Sequence, residues 1–304
     1  MGPIETIEEG RFRIKIYQDE DAESPRNWDN VGTMVCWHSR YNLGDEQPTI
    51  DPEQYLENLA TAVDPALRDE INLHRYPEDW DETEVPKTDA EIEAMIQATL
   101  NEHYVILPLY LFDHSGISIS TGSFHDPWDS GQVGFIYASK EKAKEGWGQS
   151  PRVRHNAPSS EFFTEGLLYV LTDQGEVLDN HGKPRRDDSW VSPLKPLPDE
   201  EVYAHYLKGE VETYDQYLRG DVYGYVIETK AGVEKDSLWN MYGYDYCLEE
   251  AKSVVASFAD EPIKKFEFTF TVSAEGEDYD EALDEALATG VSDSDLVSST
   301  EIKE

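Results

Sequence analysis

The segment Leu107–Tyr137, LPLYLFDHSGISISTGSFHDPWDSGQVGFIY, most narrows the folds open to this chain. The apolar run Tyr104–Leu111 meets the turn-forming residues Asp113–Gly116 and then the β-prone Ile117–Thr121. Strands this close must pair antiparallel, because a parallel return needs a crossover of about a dozen residues or more. Val133–Ala138 supplies a further strand. The same punctuation recurs where Leu167–Leu171 and Glu176–Leu178 flank Asp173-Gln174-Gly175, and where Gly220–Glu228 and Val233–Trp239 flank Ala231-Gly232. Arg11–Tyr17 and Lys265–Val272 alternate with period two, and Thr33–His38 reads as a buried strand.

Helices lie between these runs. Asp51, Pro52 and Gln54 open a helix over 52–63 with a capping box, and Thr88 with Glu91 opens another to about 101. Ser139 caps a short basic helix. Asp199–Arg219 has helical spacing that Gly209 is expected to break, and Tyr244–Phe258 and Tyr279–Leu287 follow the same period. The predicted fold is α+β, a mainly antiparallel sheet built from hairpins with helices packed on it. Its expected organisation is an N-terminal α+β region over 1–180, a Pro-rich polar loop or linker over 181–198, a C-terminal α+β region over 199–291 and a flexible tail over 292–304. A faint internal echo joins Trp28-Asp29-Asn30 to Trp128-Asp129-Ser130, each ahead of a Gly and a β-prone run.

Charge enters because it selects partners. The 304 residues carry 64 Asp and Glu against 25 Lys and Arg, a net charge of -39. A duplex carries about one phosphate charge per 1.7 Å of axis, so direct binding to nucleic acid is disfavoured, as is an anionic membrane. Solubility, adaptation to high salt and mimicry of the DNA backbone are three competing uses of such acidity. Eighteen Tyr and seven Trp argue for a folded chain. Cys36 and Cys247 form no C-x-x-C pair and read as buried thiols. With no run of 18 apolar residues and no N-terminal apolar region, neither a membrane span nor a signal peptide is expected.

Two constellations carry chemical potential. Asp113-His114-Ser115-Gly116 is either a hairpin turn or the seat of His114 as a base or metal ligand oriented by Asp113 or Asp129. The catalytic candidates are therefore Asp113, His114, Asp129 and His38, and the metal candidates His114, His38 and Asp129, with His125 and Asp45 as further members if the strand at 33–38 is a sheet neighbour. Trp128-Asp129-Ser130-Gly131 is no nucleophile elbow; Trp128 is expected to pack on the sheet while Asp129 closes a turn. The second constellation is aromatic. Tyr223, Tyr225, Trp239, Tyr242, Tyr244 and Tyr246 serve either a polar-tipped core or a binding surface, which could also be a dimer face. No phosphate loop, dinucleotide fingerprint, H-E-x-x-H or calcium loop occurs, and no cofactor is expected.

Three segments carry a family resemblance: SPRNWDNVGTMVCWHSRYNLGD (24–45), LYLFDHSGISISTGSFHDPWDSGQVGFIY (109–137), and YDQYLRGDVYGYVIE with DSLWNMYGYDYCLEEA (214–228, 236–251). In that order, from about Phe12 to Ala256, the chain resembles a widespread protein family of tailed phages and archaeal viruses. The family's third motif reads D-S-C-W-G-F-Y-G, where this chain has Leu238, Asn240 and Met241. The resemblance implies a viral accessory protein, acting in the host cytoplasm, and supplies no catalytic residues. Combined with the charge, it gives the leading expectation of an anti-defence effector, more binding protein than enzyme, that occupies the basic DNA-binding face of a host protein. A metal-assisted hydrolase or nucleotide-modifying enzyme centred on Asp113, His114 and Asp129 is one alternative. A salt-adapted structural or housekeeping viral protein is the other.

Overall fold

The computed structural model describes residues 2–76, 87–148, 152–154, 168–172, 176–178, 183–184, 196–259, 265–270 and 296–302. Its architecture is α+β, with every strand pairing between named strands antiparallel. The first four-stranded sheet is built from β3 (Thr33–Cys36), β4 (Tyr104–Asp113), β5 (Ile117–Ser120) and β6 (Ser130–Ser139), in the order β3-β6-β4-β5. The second is built from β1 (Glu5–Glu9), β2 (Phe12–Gln18), β10 (Val222–Thr229) and β11 (Glu234–Tyr242), in chain order across the sheet. Shorter pairings join β7 (Arg152–Arg154), β8 (Leu168–Leu171) and β9 (Val177–Leu178), and β12 (Lys265–Phe270) with β13 (Leu296–Ile302).

Alternation along the central strand explains how the first sheet is covered on both faces. Val105, Leu109 and Leu111 of β4 point into a core closed by α4 (Lys140–Trp147), which contributes Ala143, and by α5 (Asp199–Leu218), which contributes Val202, Leu207 and Val211. Tyr104 and Ile106 point the other way, into a core closed by α1 (Pro52–Val63), α2 (Pro65–Arg75) and α3 (Asp89–His103). A period of two thus feeds two helical layers from one strand. Gly134 of β6 lets that strand approach β3: a Cβ added there would lie 1.9 Å from the Val35 carbonyl oxygen. No side chain but hydrogen fits.

The second sheet follows the same rule with one face. Phe12, Ile14 and Ile16 of β2 are buried with Tyr225 and Ile227 under α6 (Tyr244–Ala259). Arg13 and Lys15, on the opposite face, both reach Glu228 of the neighbouring strand, at 2.9 and 2.8 Å. The Lys15 ammonium and the Arg13 guanidinium hold the Glu228 carboxyl below its usual range.

Several expectations are corrected. The regions on either side of 181–198 are built together: β2 pairs with β10 and α5 packs on the first sheet, so both contribute to both cores. Gly209 does not break α5, which runs unbroken for 20 residues because Tyr203, Leu207, Val211 and Tyr214 keep one face buried on both sides of it. Asp64 caps α2, a helix that the sequence reading omits; its side chain accepts the amides of Ala66 and Leu67. The Asp51 cap is made, but Gln54 turns its side chain to Glu57 and Asn58 and leaves the box half closed. Thr88 and Glu91 close theirs fully. Arg152–Arg154 forms a short strand that the sequence does not announce, and Leu296–Ile302 is a strand where a flexible tail is expected. The expected helix at 279–287 and most of the 181–198 segment lie outside the described residues.

Candidate functional site

At the β4–β5 turn the expected catalytic residues divide into two clips. Ser115 takes φ +59°, and the Asp113 amide donates to the Asp129 carbonyl at 2.8 Å, tying the turn to the start of β6. His114 Nδ1 lies 2.7 Å from Asp129 Oδ2; a carboxylate accepts there, so Nδ1 carries the proton. Asp113 faces away, to the Arg40 guanidinium and to the Tyr41 hydroxyl at 3.2 Å. His38 belongs to that second clip only indirectly. Its Nδ1 accepts the amides of Arg40 and Tyr41 at 3.3 and 3.1 Å, and its ring stacks on Tyr41 at 5.0 Å.

These are turn-holding contacts. His114 and Asp129 stand in solvent, with side chains 65% and 37% exposed. Asp45 is elsewhere, bound to Arg26, and His125 is exposed on the 121–129 loop. Among the described residues no three His, Cys, Asp or Glu side chains gather as a metal site, and the candidates His114, His38 and Asp129 are not brought together as one ligand set. Trp128 does not pack on the sheet. It is 92% exposed, on a turn in which Asp126 accepts the Trp128 amide at 2.9 Å.

The second constellation also divides. Tyr225 is 2% exposed, its hydroxyl donating to Asp236 at 3.0 Å inside the core of the second sheet, and is no binding residue. Tyr223 packs edge-on against Tyr244 at 5.5 Å. Trp239, Tyr242, Tyr244 and Tyr246, by contrast, line an open cleft of about 1160 Å³ between the two main sheets. One wall is β11 and the start of α6; the other is α5 with β5.

A bulge in β11 shapes this wall. Tyr225 pairs with Leu238 and Tyr223 with Met241, so Trp239 and Asn240 together oppose Gly224. Asn240 takes φ +63°, a left-handed conformation that Asn and Gly reach more readily than other residues. Asp19 accepts the Asn240 amide at 3.0 Å, and Asn240 Oδ1 accepts the Glu23 amide at 3.1 Å, which pins the bulge to the acidic loop. Residues three apart on a regular strand face opposite sides; here Trp239 and Tyr242 both line the cleft. Leu238, beside the bulge, is exposed.

Sequence reasoning missed the opposite wall. Asp215 of α5 accepts from the Ser118 hydroxyl at 2.6 Å and the Ile119 amide at 2.8 Å, fixing the helix to β5, and pairs with Arg219 at 2.9 Å. Trp28 completes an aromatic corner, edge-on to Tyr242 at 5.2 Å. Burial, with Tyr217 nearby, pushes the Tyr242 hydroxyl up to about 12, so it stays protonated and donates to the Glu23 carbonyl. The nearest available signal was the repeated Trp-Asp pair; no local pattern links α5 to β11. Among the described residues lining the cleft, Glu212, Asp215, Asp221, Asp245 and Glu249 outweigh Lys208 and Arg219. Among the described residues of the chain no helix is long and apolar enough to cross a membrane. No family model, curated protein or solved structure matches the chain.

Proposed function

We propose that this chain is an acidic accessory protein of viral type that acts in the host cytoplasm by occupying the basic, DNA-gripping face of a host protein. The observation that carries the reading is the net charge of -39 on a folded chain. A surface of that sign repels nucleic acid and attracts the proteins built to hold it, accelerating encounter and adding specificity. The exposed, turn-holding role of the His114–Asp129 pair supports binding over catalysis, as does the excess of carboxylates in the cleft.

The test is competition. The purified protein is used to capture partners from host lysate at low salt, and each captured partner is then titrated with labelled duplex DNA. The expected outcome is that this protein displaces the duplex, with an affinity that falls steeply as salt rises. A partner that holds duplex and this protein together overturns the reading, and so does recovery of no basic protein.

A further inference from the structure

The geometry points to the aromatic cleft as the place where a partner is gripped, and we propose that its occupant is an extended, arginine-bearing segment of a partner protein. This rests on the reading of the chain as a binder of basic proteins and names the contact site within it. The cleft is larger than the ~300–1,000 Å³ typical of small-molecule pockets, and it is open, which suits a peptide segment.

Its chemistry selects the cation. Trp239 is seated with its ring against Gly224, where an added Cβ would lie 2.3 Å from Trp239 Cε3, yet 45% of the residue is exposed. Tyr246 is 60% exposed at the start of α6, beside the exposed Asp245 and Glu249. Aromatic faces attract cations through their quadrupole, and a guanidinium both stacks on such rings and bonds carboxylates through its planar fork. An ammonium is a compact, strongly hydrated charge and gains less from the rings. The rigidity of the wall matters equally: the pinned bulge holds Trp239 and Tyr242 in place before any partner arrives, which lowers the ordering cost of binding.

A hexa-arginine peptide tests the assignment by calorimetry on the full chain at about 0.15 M salt. The double variant Asp245→Asn/Glu249→Gln removes two charges from the cleft, and Tyr246→Ala removes an exposed ring with little packing cost. The double variant Glu53→Gln/Glu93→Gln removes two exposed charges from α1 and α3 as a control. Each cleft variant is expected to weaken hexa-arginine about fivefold or more and the control less than about twofold, with hexa-lysine bound about threefold more weakly than hexa-arginine by the unmodified protein. Equal weakening by both charge pairs, with Tyr246→Ala silent, overturns the cleft assignment and leaves the proposed function standing on net charge. Failure of the unmodified protein to bind either peptide overturns both.

Discussion

The Arg26 guanidinium is 6% exposed and holds three groups at once: Asp45 through two bonds, Glu210 at 3.0 Å and the Gly32 carbonyl at 2.8 Å. Glu210 in turn accepts the amides of Val31 and Gly32, and Asp45 that of Met34, so one cation ties the 25–32 loop, β3 and α5 together. Arg26→Met leaves two partly buried carboxylates without their counter-charge. It is expected to cost about 2–4 kcal/mol in urea unfolding, reduced from a fully buried pair because both acids keep some water. Buried thiols give a second residue-scale prediction. Burial pushes Cys36 up to about 12 and Cys247 up to about 11. Both should resist a thiol reagent at pH 8 until the chain unfolds. Because the folded values lie above the 9.0 of an unperturbed thiol, their contribution to stability is complete below pH 9 and is lost as pH rises from there through 11 and 12, which an alkaline melting series would show. The site was only partly legible at this scale. Nearness in the chain brought Trp239, Tyr242 and Tyr244 together with Tyr225, but strand parity decides that Tyr225 faces inward and a bulge in the neighbouring strand sets the others on the cleft. The pairing of His114 with Asp129 was among the readings left open by the sequence; the separation of His38 from them follows from where the 38–41 turn sends its side chains.

Elements were more legible than residues wherever one local signal was strong. The capping residues Asp51, Thr88 and Ser139 mark helix starts because they satisfy amides that have no partner inside the helix. The turn at Asp113–Gly116 marks its hairpin for an equally local reason. Gly209 misleads, since its cost is about 1 kcal/mol and the buried face of α5 outweighs it. That gives an element-scale prediction. An added Cβ at Gly209 meets nothing within 4 Å, so Gly209→Ala should stabilise the protein by about 0.5–1 kcal/mol in urea unfolding, and a loss of stability would contradict an unbroken helix. The β11 bulge gives the opposite case. Asn240→Gly should keep the bulge and the Asp19 bond and lose the exposed Glu23 contact, whereas Asn240→Val should cost about 1–3 kcal/mol by forcing a β-branched residue into the left-handed region. The valine variant should also weaken hexa-arginine, as the bulge relaxes and Trp239 turns from the cleft.

At the scale of the whole molecule, charge and topology pull apart. A chain this acidic repels itself when folded, and added salt relieves the repulsion. Melting temperature should climb between about 0.05 and about 0.5 M KCl and then level off, as screening saturates. A climb that continues to about 3 M would instead assign the acidity to life in concentrated salt and remove the argument for a basic partner. The pairing of β2 with β10 was not legible at all: nothing near Phe12 names Thr229 as its neighbour, because a half-buried strand shows its parity and not its partner. That pairing also sets a delay during synthesis. About 200 residues separate β2 from β10, so at ~5–20 residues per second the β2 edge and its isoleucines leave the ribosome ~10–40 s before the strand that covers them. A nascent chain in that interval is a target for holdase chaperones, and one that stops short of residue 222 is left with an adhesive strand and nothing to sheathe it.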